Sequence, residues 1–187
     1  MRIVYQGAPG AHSHAAAVGR RPEASPCGLP DFGAVAAEVG RGRAELGLLP
    51  IANTIVGPVP GALEVLAEWP DLAIIEQFEE RITHVLAALP GADLASLRWA
   101  ESHPVALAQC TRWLSARRLA PHAVEDTAGA ARAIAADRDW TRAAICSAAA
   151  AERYGLVVLA HDIGDCPDNR TTFAVIARRA VSRELAA

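Results

Sequence analysis

"LAIIEQFEERITHVLAAL", residues 72–89, carries the decision on the fold. It opens as an apolar run, Leu72 to Ile75, of the kind a buried strand shows. It continues with alternation through Ile82, His84 and Leu86, the period of an extended chain. The whole stretch exceeds an ordinary strand, so it reads as one long or broken β segment acting as a connector. A second connector, "TTFAVIAR" (171–178), runs near the C-terminus. Two crossing strands of this kind join two α/β lobes. Lobe one is expected over about 1–78 plus 177–187, and lobe two over about 79–176. Small ligands bind in the cleft that two such lobes enclose.

Outward from the connectors, strands alternate with helices. "RIVYQG" (2–7) reads as a buried strand, and "APGAHSHAAAVGR" (8–20) as a Gly/Pro turn opening into an alanine-rich helix. Asp31 is placed to cap a helix over "PDFGAVAAEVGRGR" (30–43). "AELGLLPI" (44–51) reads as a strand that breaks at Pro50, and "ALEVLAEW" (62–69) as a helix. Beyond the first connector, "LRWAES" (97–102), "PHAVE" (121–125), "RAAICSA" (142–148) and "LVVLAHDIGD" (156–165) read as strands. Helices stand between them: "HPVALAQCTRWLSARR" (103–118), "DTAGAARAIAADRD" (126–139) and "AAAERYG" (149–155). Ser102, and Asp126 or Thr127, are placed as caps, and Gly155 closes the last helix. The fold class is α/β with mixed sheets.

Composition narrows the function. Hydrophobic residues make up 52% of the 187 and charged residues 21%, a globular profile. A net charge of −3 argues against nucleic acid as the main partner, because phosphate binding needs a concentrated basic face. No apolar run reaches membrane-spanning length and the N-terminus has no secretory h-region, so a cytoplasmic protein without a membrane partner is expected. Every basic residue is an arginine. Without lysine, a Schiff base, a pyridoxal phosphate aldimine and a P-loop are excluded. The four cysteines, Cys27, Cys110, Cys146 and Cys166, form no C-x-x-C pair and have no histidine at zinc-ligand spacing, so no metal site is expected.

Several predicted strands end in small polar residues just before a helix: Gly7–Ser13, Asn53–Thr54, Ser102–His103, Asp126–Thr127 and Asn169–Thr172. Strand ends gather at one edge of an open α/β sheet, and helix N-termini there favour carboxylates. A small anionic ligand follows. Each tip also has a plainer reading. Ser102 is a helix cap, Asn53 a turn residue, His103 a surface residue and His84 an inward, satisfied histidine. Glu79, Glu80 and Arg81 read as a solvated edge.

Taken together and in order, the segments resemble the catalytic domain of the prephenate dehydratase family. The resemblance rests on "YQGAPGAHSHAAA", "LLPIANTIVGPV", "ERITHVLAAL", "SHPVALAQCTRWL", "DTAGAARAIA", "AAICSAAAAERYGLVVLAHDIGD" and "NRTTF", and covers nearly the whole chain. It implies two α/β lobes of periplasmic-binding-protein type II architecture with an interlobe cleft. It implies loss of carbon dioxide and hydroxide from prephenate to give phenylpyruvate for phenylalanine, with no cofactor. The family's T-R-F threonine falls on Thr171, which becomes the expected general acid. Asn53, Ser102 and Gln109 match family positions that would hydrogen-bond the substrate. Ser102 and Gln109 are seven residues apart, so one helix could present both. Thr54, His103, Gly10, Ala11, Ser13, Arg170, Thr172 and Phe173 complete the expected substrate-binding set. A homodimer is expected, with residues 72–89 offering apolar surface for it.

Three departures mark this chain. The family's glutamate before asparagine is Ala52 here, and no regulatory ACT domain follows, so feedback inhibition in cis is expected to be absent. The family's T-R-F arginine is Thr172, while an arginine stands at position 170. A lost charge-assisted contact to a substrate carboxylate is worth about 1.5–3 kcal/mol. In a strand, residues two apart share a face, so Arg170 either replaces the missing guanidinium or is merely exposed. The alternative reaction is a decarboxylation that keeps the ring non-aromatic and retains the hydroxyl, in a specialised pathway.

Overall fold

The apolar runs become strands because their side chains alternate between two buried faces, and the alanine-rich stretches between them become helices. The structure is a computed structural model and describes residues 1–180. In chain order the elements are β1 (Arg2–Gln6), α1 (His12–Arg20), β2 (Ser25–Leu29), α2 (Phe32–Gly40), β3 (Leu46–Asn53), β4 (Gly57–Pro58) and β5 (Leu72–Arg81). There follow β6 (Val85–Ala88), β7 (Trp99–Ser102), α3 (Pro104–Ala108), α4 (Thr111–Arg117), β8 (Ala120–Ala123) and α5 (Thr127–Asp137). The remainder are β9 (Arg142–Cys146), α6 (Ala148–Arg153), β10 (Val157–Ala160) and β11 (Arg170–Arg178). They divide into two compact units: residues 1–7, 12–82 and from Asp168 on, and residues 8–11 and 83–167.

The first unit holds a sheet in the order β2-β1-β3-β11-β5, with β4 on β3. β1 is parallel to β2 and β3, and β11 is antiparallel to β3 and β5. Alternation sends Ile3, Tyr5, Leu46, Leu48, Phe173 and Val175 to the face that buries Ala16 and Ala17 of α1. Val4, Leu49 and Ile176 go to the face covered by Val35, Ala36 and Val39 of α2. Gly47 lets that second face close: a Cβ there would lie 2.8 Å from Ile176 Cγ1 and 3.0 Å from Val35 Cγ1.

The second unit holds a sheet in the order β10-β6-β9-β7-β8. β7 is parallel to β8 and β9, and β6 is antiparallel to β9 and β10. Ala128, Ile134 and Ala150 of α5 and α6 pack on Val85, Ala87 and Ala144. Leu107 and Leu114 of α3 and α4 pack on Leu86, Ala100 and Ile145. One charged pair is drawn into this unit. Arg142 grips the buried Glu101 with two bonds, 2.7 Å and 2.9 Å, and holds its carboxyl below the usual range against the opposing effect of burial.

Several expectations are corrected. The strand expected to break at Pro50 runs on to Asn53. Opposite Thr172 and Phe173 the register passes from Ala52 to Pro50, a bulge that steps over Ile51 and accommodates a residue without an N–H. The 72–89 segment does break, and its parts, β5 and β6, lie in different sheets. β11 pairs with β5 along its whole length, Arg170 to Arg178. That ladder is why residues 79–82 and 168–176 group with the first unit, where the patterning put them in the second. Of the 177–187 stretch assigned to lobe one, residues 181–187 lie outside the described residues. The helix expected over 62–69 is a single 3-10 turn, Glu64–Glu68. The helix expected over 103–118 is two short helices, divided at Gln109–Cys110. β2 went unread because "SPCGL" is an edge strand with neither apolar run nor alternation.

Candidate active site

Because β3 continues past Pro50, Asn53 comes to stand directly opposite Thr171. Its side chain is then fully used. The two hydrogens of Asn53 Nδ2 are shared among three acceptors, Thr171 Oγ1 at 3.0 Å, the Arg170 carbonyl at 2.9 Å and Asn169 Oδ1 at 2.8 Å. Its Oδ1 accepts from the backbone N–H groups of Ile55 and Val56 at 2.9 Å and 3.2 Å. The Oδ1 end of the amide thus serves the turn, and the Nδ2 end faces Thr171. Thr171 is 8% exposed. Its oxygen accepts from Asn53, which leaves its own O–H as the group it has to donate. Withdrawal of electron density from Oγ1 toward the amide makes that O–H a better donor.

The flanking residues hold this tip in place. Thr54 Oγ1 accepts from the Arg170 N–H at 2.9 Å and donates to the Asp168 carbonyl at 3.0 Å, while its N–H donates to the Arg170 carbonyl at 2.9 Å. Asn169, buried, also accepts at its carbonyl from the Ile82 N–H at 2.8 Å. It was not among the candidate residues, though it is the first residue of the "NRTTF" that singled out its neighbours. Arg170 is exposed and its Nε donates to Asp168 Oδ1 at 2.9 Å. Thr172 shares the Arg170 face of the strand, opposite to that of Thr171. Phe173 is corrected. It is 1% exposed, stacked on Phe78 with centroids 5.8 Å apart, and belongs to the core. Ser13 stands in the first turn of α1, partly buried.

The second unit assembles a separate set. The carbonyl of Gly10 accepts from Ser147 Oγ at 2.5 Å, and that of Pro9 from the Tyr154 hydroxyl at 2.9 Å. Gly10 has φ +95°, and an added Cβ would lie 2.8 Å from Ala150 Cα, so glycine is required there. Ala11 packs against the core beneath α5 and α6. Ser102 is corrected as a cap. It ends β7, is fully buried, and its hydroxyl donates to the Ile145 carbonyl at 2.6 Å. With Pro104 in the first turn, His103 becomes the cap, its Nδ1 accepting from the Val105 N–H at 3.2 Å. Ser102 and Gln109 are thus not on one helix: Gln109 is the C-cap of α3. Its Oε1 accepts from His84 Nε2 at 2.8 Å.

His84 is 3% exposed, in keeping with an inward histidine, and its Nε2 is satisfied by Gln109. Burial pushes its pKa below the ordinary value, against the opposing effect of the bond to Gln109. The sign of the consequence is fixed. Above the unfolded pKa, about 6.5, both states are neutral and the folded form keeps its full stability. As pH falls through that value the unfolded chain takes up a proton that the folded chain refuses, so stability drops, by at most about 1.4 kcal/mol per pH unit from this group. Urea titrations at pH 7.5 and 5.5 are expected to show this loss, and His84→Gln is expected to reduce it. An equal loss in the variant would assign it elsewhere.

No helix of the described residues is long and apolar enough to cross a membrane. Among the described residues no group of three or more His, Cys, Asp or Glu is arranged to hold a metal ion.

The family model described as prephenate dehydratase matches residues 3–181. A relative from Arabidopsis thaliana, arogenate dehydratase/prephenate dehydratase 2, chloroplastic, is 38% identical over 183 residues, which is 97% of this chain and 47% of that protein. The chain spans about half the length of such curated relatives. Among solved structures, prephenate dehydratase from Arthrobacter aurescens in complex with L-Phe superposes with a TM-score of 0.88 at 31% identity, covering 95% of this chain and 60% of that one. A periplasmic substrate-binding protein from Coxiella burnetii shares the fold alone, with a TM-score of 0.50 at 13% identity over 98% of this chain and 87% of that one. The periplasmic-binding-protein type II architecture expected from the motifs is thereby met, and the chain belongs to the prephenate dehydratase family.

Proposed function

We propose that the chain is a carbon–oxygen lyase that converts prephenate to phenylpyruvate. The observation that carries this reading is the bond from Asn53 Nδ2 to Thr171 Oγ1. It orients a hydroxyl whose proton is available for a leaving group. In the reaction the ring carboxylate leaves as carbon dioxide. The electron pair of the broken C–C bond enters the ring and expels the ring hydroxyl, which departs as water with the Thr171 proton. Solvent returns the proton to Thr171. Electrons balance within the substrate and aromatisation supplies the driving force, so the step needs no cofactor. The protein's task is to hold a dianion and orient it.

In this reading Thr171 is the acid and Asn53 sets its direction. Ser102 and Gln109 bind substrate, with Gln109 oriented by His84. Thr54 supports Arg170, and His103, Gly10, Ala11, Ser13, Arg170 and Thr172 form the outer substrate-binding set. In this reading the protein acts in the cytoplasm as a homodimer, with neither nucleic acid nor membrane as partner. Sedimentation as a monomer at micromolar concentration would remove the dimer. A second reading, decarboxylation with retention of the hydroxyl, is favoured by one feature, the absence of an arginine at Thr172. Incubation with prephenate and with arogenate, followed by ultraviolet absorbance and mass, decides among these products. Phenylpyruvate is expected from prephenate, and a non-aromatic acid would replace the first reading with the second.

A further inference from the structure

The antiparallel ladder between β11 and β5 sets Arg170 directly opposite Arg81. It is the terminal rung, formed by the first residue of β11 and the last of β5. Directly opposed residues share a face, with Cβ atoms about 4.5–5.5 Å apart. Two like charges on one rung destabilise a sheet unless an anion lies between or beside them. The anions at hand do little to relieve this. Arg170 reaches Asp168, but that carboxylate has a side-chain exposure of 78% and the pair is of the surface kind that contributes little. Arg81 is exposed, and its guanidinium has no hydrogen bond or ion pair among the described residues. Glu79 lies on the same face, opposite Thr172, yet neither guanidinium is within ion-pair distance of it among the described residues. The rung is also next to chemistry, since the residue after Arg170 is Thr171.

We infer that Arg81 and Arg170 together form the grip for one substrate carboxylate, replacing the guanidinium that Thr172 lacks. This rests on the dehydratase reading for the identity of the dianion. Both side chains leave the face opposite to that of Thr171, but from the last rung, where no further residue pair stands between them and the strand end. Two adjacent guanidiniums offer a planar, multidentate donor set for a carboxylate, and the incoming charge relieves their mutual repulsion. Asp168 is displaced from Arg170 at small cost because it is solvated. An edge that the sequence presents as a solvated Glu-Glu-Arg run thus contributes a specificity residue, Arg81.

The test compares Arg81→Gln, Arg170→Gln, Thr172→Arg and the double variant Arg81→Gln/Thr172→Arg. KM and kcat for prephenate are measured in the native background, and prephenate affinity in a Thr171→Val background. Arg81→Gln is expected to raise KM by about ten- to a hundredfold with kcat within about threefold. The native KM is expected to rise with added salt, and less so in the variant. Thr172→Arg is expected to restore KM in the double variant, which a merely structural role for Arg81 would not allow. An unchanged KM in Arg81→Gln overturns the grip. If the native chain forms no phenylpyruvate, the dehydratase reading falls and affinity alone decides the grip. Weaker prephenate binding in Arg81→Gln then upholds it, equal binding overturns it, and a chain that binds no prephenate overturns both.

Discussion

Thr171→Val is expected to lower kcat for phenylpyruvate formation by about a hundred- to ten-thousandfold, the range that a positioned general acid supplies. Valine keeps the shape of threonine, so the strand should pack unchanged. Asn53 Nδ2 loses one acceptor and keeps two, Asn169 Oδ1 and the Arg170 carbonyl. The cost to stability is therefore about 1 kcal/mol, and the loss of rate is chemical. KM should move little, since the hydroxyl acts on the leaving group in the transition state more than on bound substrate. Asn53→Ala should give a smaller loss of kcat. It leaves the Thr171 hydroxyl in place without direction and strips two backbone N–H groups, Ile55 and Val56, of their acceptor. A Thr171→Val protein with unchanged kcat would remove Thr171 from the chemistry.

Phe173→Ala is expected to cost about 3–5 kcal/mol of stability, as buried aromatic truncations do. Phe173 is 1% exposed, stacks on Phe78 at 25° between ring planes, and packs with Ile3, Tyr5, Leu48 and Val175. Its deletion leaves a cavity under the strand that carries Thr171 two residues earlier. Phe173→Leu should cost less and leave KM for prephenate within about twofold, because the side chain supports the site and does not line it. Urea midpoints and KM values for the two variants check both statements. A tenfold higher KM in Phe173→Leu with near-native stability would return Phe173 to the substrate.

The alternation of strands and helices, and the motifs around Asn53, Ser102, Gln109 and Thr171, were legible because they depend on local periodicity and residue type. What escaped was long-range registry. Pro50 looked like a strand end, and only pairing with β11 shows a bulge that carries the strand on to Asn53. Ser102 looked like a helix cap, and only its neighbour β9 shows the hydroxyl bound to Ile145. Arg81 looked like a charged edge, and only the ladder places it opposite Arg170. Asn169 was visible inside a quoted motif, but its bond to Asn53 spans a sequence separation of 116. Phe173 was misplaced by adjacency: it shares the Thr171 face of the strand, but two residues further along that face lies the core, where it packs on Phe78, Tyr5 and Leu48.

The most direct measurement is product analysis of prephenate incubated with the native chain and with Thr171→Val, by ultraviolet absorbance and mass. The native chain should yield phenylpyruvate and carbon dioxide in equal amounts, with the valine variant forming both at a rate lower by two or more orders of magnitude. Carbon dioxide released with a non-aromatic acid that retains the hydroxyl, at a rate unaffected by Thr171→Val, would contradict the account.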